Sequence, residues 1–110
     1  PPDAVVGQLR NAGEGVVDLS VRNLAMSSAM AVQHRRSGDS AQLAGSERVT
    51  ARCTELLRQL EPSLVKERLE QLLAAALDNQ GEDVAFLKKW GYDTEQKQAI
   101  GKSVYGVAES

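Results

Sequence analysis

The strongest constraint on what this chain can fold into is the apolar spacing between Ser46 and Gly81. Val49, Cys53, Leu56, Leu57 and Leu60 follow one another at steps of four, three, one and three, and Val65, Leu69, Leu72, Leu73 and Ala76 repeat the same steps. That spacing places each set on one face of a 3.6-residue helix. Glu61-Pro62-Ser63 separates the two runs. Proline lacks an amide hydrogen and crowds the preceding turn, so it interrupts a helix but fits the first position of a new one. The segment therefore predicts an antiparallel helical hairpin with facing leucine stripes, at the centre of the fold.

The flanking segments carry the same periodicity. Pro1-Pro2-Asp3 reads as a linker ending in a cap, followed by a short turn with Val5, Val6 and Leu9 that stops at Asn11-Ala12-Gly13. From Glu14 to about Arg36 a second helix is expected. Val17, Val21 and Leu24 mark one stripe and Val16, Leu19, Met26 and Met30 a neighbouring one, together predicting a wide buried face. The run AMSSAMA then puts Ala25, Ser28 and Ala29 where another helix can come close. Asp39 with Gln42 is a capping-box signature for a helix reaching Leu60, with Gly45-Ser46 as a weak point.

After Asn79-Gln80-Gly81, a short helix begins at Glu82-Asp83 and ends at Lys88-Lys89, the charge order that the helix dipole favours. Asp93 or Thr94 caps a final helix whose buried positions are Ala99, Ile100, Val104, Val107 and Ala108, with Tyr105 at the edge. The expected fold is all-α: a linker and short helical turn over residues 1–13, then a single up-and-down bundle over 14–110, about five helices in all. The 110 residues leave room for one core, and the apolar content comes from Leu, Val and Ala with only four aromatics and one Ile, a composition that favours helices over sheets.

The same composition argues against most chemistry. A metal centre needs several converging His, Cys, Asp or Glu ligands, and the chain has one His and one Cys. Cys53 lies on an apolar stripe, where a thiol acts as a small hydrophobe, and a single cysteine makes no internal disulfide. His34 stands beside Arg35 and Arg36, and no neighbouring carboxylate orients it as a base. Gly101-Lys102-Ser103 resembles the end of a phosphate loop, but Gln96 occupies the position of the first glycine. No enzymatic activity and no cofactor are expected.

No apolar run approaches the roughly twenty residues that span a bilayer, and the first residues lack the pattern of a signal peptide, so a soluble chain is expected. Opening on Pro1-Pro2, it reads as a domain excised from a longer protein, with processing as the rival explanation. The formal net charge of −2 gives no reason to expect nucleic acid or an anionic membrane as an obligatory partner. The basic clusters lie at predicted helix ends, at His34-Arg35-Arg36 and at Lys88-Lys89, which runs into Trp90 and Tyr92. A capped, solvated tip is the plain reading of the first cluster, and core packing the plain reading of Trp90.

If every connection simply reverses the chain, these clusters fall at opposite ends of the bundle. Arg, Trp and Tyr dominate many binding interfaces, so Lys88, Lys89, Trp90, Tyr92, Arg35 and Arg36 are the candidate partner-binding residues, with the Lys88–Tyr92 end preferred. The expected role is protein–protein interaction, as an adaptor, targeting or regulatory domain. The Ala-, Ser-, Gly- and Gln-rich texture resembles that of small interaction domains in bacterial secreted or regulatory proteins. The alternative is nucleic-acid binding through a helix-turn-helix-like pair at 82–108, which the acids Glu82, Asp83, Asp93 and Glu95 disfavour. Peripheral membrane contact through the aromatics at 90–92 has no further support.

Overall fold

A computed structural model describes the backbone of residues 2–109 and the side chains of residues 13–109. Five helices follow one another: α1 (Pro2–Ser37), α2 (Ser40–Gln59), α3 (Pro62–Asp78), α4 (Asp83–Lys89) and α5 (Thr94–Ala108), with no strand among the described residues. The all-α expectation holds. So do most of the punctuation signals. Asp39 accepts from the Gln42 amide to cap α2, Pro62 opens α3 under a Glu61 cap, and Asn79 closes α3 in the left-handed conformation. Asp93 and Gln96 form a reciprocal capping box at the start of α5. Gly38, at φ +72°, lets the chain reverse between α1 and α2 within two residues.

Two expectations about the first helix change. The stop predicted at Asn11-Ala12-Gly13 is absent, and α1 runs unbroken from Pro2. Glycine inside a helix costs only about 1 kcal/mol relative to alanine, and Gly13 has a neighbour in Leu64: a Cβ there would meet its Cδ1 at 3.6 Å. The packing of Val5, Val6 and Leu9 lies outside the described side chains. The second change is that only one of the two stripes on α1 is buried. Val17, Val21 and Leu24 are in the core with Ala25, Ala29 and Val32, whereas Val16, Leu19 and Met30 are exposed.

The hairpin at 46–81 is not the centre of the molecule. Contact between α2 and α3 is the sparsest of any packed helix pair, while α1 and α2 pack antiparallel over the most extensive one, and α1 also touches α3 and α5. The reason lies in side-chain size and polarity. Ser27 and Ser28 turn inward with Ala25 and Ala29, allowing α2 and α5 to approach, and hydroxyls join the elements: Ser27 to Thr50 at 2.7 Å and Ser28 to Ser103 at 2.6 Å. On α2 the buried residues are Cys53 and Leu57, with Thr50 on the α1 side, so Val49 and Leu56 point to solvent. The core itself draws on all five helices, with Leu24, Leu57, Leu72, Leu87 and Ile100 fully enclosed.

Candidate functional site

Arg36, at the last turn of α1, reaches the start of α5. Its guanidinium donates to Glu95 through Nε at 3.0 Å and Nη2 at 2.6 Å, and pairs with Asp93 at 2.8 Å through Nη1. The two basic clusters therefore share one end of the molecule, against the expectation from counting reversals. The seven-residue α4 is the cause. At 1.5 Å per residue it rises about 10 Å, a third of the length of α2, and does not carry the chain across the bundle. Arg36 drives the Asp93 carboxyl below its ordinary range, helped by the backbone amide of Gln96.

The rest of that end is open. Trp90 is 51% exposed rather than core, with the Lys89 ammonium 5.6 Å from its ring centroid, and Lys88 and Lys89 face solvent. Tyr92 is half-buried against the core, and burial pushes its phenol pKa up. Arg35 points elsewhere, into a small cleft between α1, α2 and α5 that it shares with Glu47 and Lys102. Of the six candidate residues, Lys88, Lys89, Trp90 and Tyr92 form one surface, Arg36 joins its edge through Asp93, and Arg35 is separate.

Sequence reasoning missed an apolar concavity between three helices. A groove of about 470 Å³ opens between the end of α2, the face of α3 and the last turns of α5. Leu57, Leu60, Val65, Leu69, Leu73 and Val104 make its floor and walls, and Lys66, Glu70 and Tyr105 stand at its rim. The stripes that were expected to face each other across a hairpin instead leave a gap, because α5 closes on α3 further along. There Gly101 permits the approach: a Cβ at this position would be 3.4 Å from Leu77 and 3.6 Å from Leu73.

Arg58 shapes one side of the groove. It donates to the carbonyls of Gly106 and Glu109 at 2.6 Å and of Val107 at 3.3 Å, satisfying the free acceptors at the end of α5. Arg58 thus ties the end of α2 to the end of α5 along the groove's wall. Lys66 and Glu70, one turn apart, and Tyr105 at the edge of the last helix were the rim signals available in the sequence.

A second feature that sequence reading passed over is a nearly buried charge cluster. Arg68, between Val65 and Leu69 on α3, donates through Nε to Asp18 of α1 at 3.0 Å and forks onto Asp83 of α4, with Nη2 at 2.8 Å from Oδ1. The Arg68 and Asp83 side chains are 12% and 11% exposed. Burial disfavours the guanidinium charge, but the hydrogen bonds to Asp83 and Asp18 outweigh it, so Arg68 titrates above its ordinary value. Arg68 and Asp83 are engaged with each other, Asp18 also accepts from Arg22 at 3.1 Å, and the cluster fixes α4 to α3 and α1.

The helix-turn-helix expectation meets a different arrangement. The helices α4 and α5 do not pack on each other; α4 lies on α3, while α5 lies on α1, α2 and α3. The first turn of α5 presents Asp93 and Glu95, both engaged with Arg36. No helix among the described residues is long and apolar enough to cross a membrane.

Comparison with known proteins adds family membership. No curated protein and no solved structure matches the sequence significantly. The profile of a family described as Uncharacterised conserved protein UCP020893 matches residues 1–107, nearly the whole chain, and the chain belongs to that family.

Proposed function

We propose that this chain is a non-catalytic protein-interaction domain of adaptor, targeting or regulatory type, which takes an amphipathic helix of a protein partner into the groove between α2, α3 and α5. The observation that carries the reading is the groove itself: an open apolar trough walled by Leu60, Val65, Leu69, Leu73 and Val104, a lining of the kind that takes the apolar face of a helix. Its rim supports the same reading. Lys66 and Glu70 offer both signs of charge one helical turn apart, and Tyr105, more than half exposed, supplies a rigid amphipathic contact of the kind enriched at interfaces.

A second docking surface is favoured by one observation, the exposure of Trp90 beside Lys88 and Lys89. Two variants separate them. Affinity capture with the purified chain is repeated with Lys66→Glu/Tyr105→Glu and with Lys88→Glu/Lys89→Glu, after circular dichroism shows both folded. A partner lost only by the first variant supports the groove, and one lost only by the second moves the site to the tip. Raising salt then tests the nucleic-acid alternative: a complex carried by phosphate contacts weakens steeply, while a helix seated in an apolar groove responds little.

A further inference from the structure

The helix α1 is apolar on both sides. Its inward face is in the core, yet Val16, Leu19, Met26 and Met30 run along the opposite face, and a helix that is hydrophobic all round is ordinarily covered all round. Val16, Leu19, Asn23, Met26 and Met30 are spaced by three, four, three and four residues. In the sequence the same alternation continues back through Ala12, Leu9 and Val5, giving nearly four heptads. Neighbouring α2 extends the patch: Val49 lines a shallow trough with Asn23, Met26 and Met30, floored by Gly45 and Ser46, and Leu56 lies two turns further along the same face of α2.

We infer that this face pairs two copies of the chain through a parallel α1–α1 seam. The heptad places Val16, Asn23 and Met30 at one core position and Leu19 and Met26 at the other. A β-branched residue at the first, leucine at the second and a single asparagine at the first are the choices that specify two parallel strands in register, because the asparagine finds its hydrogen-bonding partner only in the second copy's Asn23.

The area also suits a second copy. Val16, Leu19, Met30, Val49 and Leu56 are each between 39% and 54% exposed. Together with Met26 they leave on the order of 500 Å² open on each copy, so closing two copies removes roughly 1,000 Å², the threshold for a specific interface before any polar rim is counted. The surface is separate from the α2–α3–α5 groove, which shares no lining residue with the trough beside α1.

The test is sedimentation equilibrium across the micromolar range. The chain is expected at twice its 11.9 kDa mass, and Leu19→Lys/Met26→Lys, whose positions lie on the outward face, at the single mass with an unchanged helix signal. A second variant reads the register and keeps Asn23 in place: oxidised Val16→Cys links two copies on a non-reducing gel if the helices run parallel, whereas the native chain, with Cys53 buried, does not. A single-mass native chain throughout, or a double mass retained by the lysine variant, overturns the pairing. Double mass without cross-linking of Val16→Cys overturns the parallel seam.

Discussion

Leu56 and Leu57 are neighbours in sequence and differ 42% to 1% in exposure. A pattern that counts only apolar residues assigns both to the core. The packing of α2 on α1 also uses hydroxyls, and once Thr50 faces Ser27, the helix rotation that buries Leu57 turns Leu56 outward. Leu57→Ala is therefore expected to cost about 2–5 kcal/mol through lost burial and a cavity. For Leu56→Ala, with both variants made in the Leu19→Lys/Met26→Lys background that keeps the chain single, the expectation is about 0.5 kcal/mol, the range of surface changes. Urea midpoints measured on the two variants decide it, and equal shifts would mean that the orientation of α2 is different. Arg68 is the polar counterpart. Removing it leaves Asp83 nearly buried without its fork, so Arg68→Ala should destabilise by about 3 kcal/mol. Arg68→Lys should recover only part, since an ammonium does not reproduce two parallel hydrogen bonds. Thermal denaturation of the pair checks both, and an alanine variant as stable as the native chain would remove the cluster from the account of how α4 is held.

At the scale of elements, boundaries were the legible part, because each depends on a few local groups. Pro62 at the first position of α3, Asp39 before α2 and the Asp93/Gln96 box act within four residues of themselves, and sequence distance is no obstacle to reading them. The stop at Asn11–Gly13 failed because Gly13 was weighed as a local breaker, whereas here it is a place where Leu64, fifty-one residues away, approaches α1. The tie between α1 and α5 through Arg36 is equally non-local, and it makes a pH prediction. Hydrogen bonds from Arg36 and then from the Gln96 amide hold the folded Asp93 pKa below its unfolded value of about 3.9. Its contribution to stability is therefore complete above that value and is lost as pH falls through the lower, folded one. Arg36→Met should be less stable than the native chain at neutral pH, and the difference should shrink below about pH 3.9 as Asp93 takes up its proton in both. Denaturant titrations at several pH values follow this directly; a difference that persists undiminished in strong acid would assign the effect to packing of the arginine stem instead.

For the whole molecule, the class of fold followed from composition and periodicity, but the arrangement did not. Which helix lies at the centre depends on how closely backbones approach, and that is set by small residues: Ala25, Ser28 and Ala29 on α1 and Gly101 on α5. The groove was illegible for the same reason, since it is the space left where leucine stripes on α2 and α3 fail to meet. One consequence can be tested with the single thiol. Residues of all five helices enter one core, so unfolding should be a single cooperative step. Cys53 sits inside that core, packed between α2 and its neighbours, and burial both shields the thiol and pushes its pKa up, leaving little thiolate to react. Its reagent should thus see it only in globally unfolded molecules. The extent of Cys53 labelling in short pulses across a urea series should trace the loss of helix by circular dichroism, with one midpoint for both. If labelling comes at lower urea than the loss of helix, α2 opens away from α1 as a separate unit, and the central place given to the α1–α2 pair in holding the molecule together would have to be abandoned.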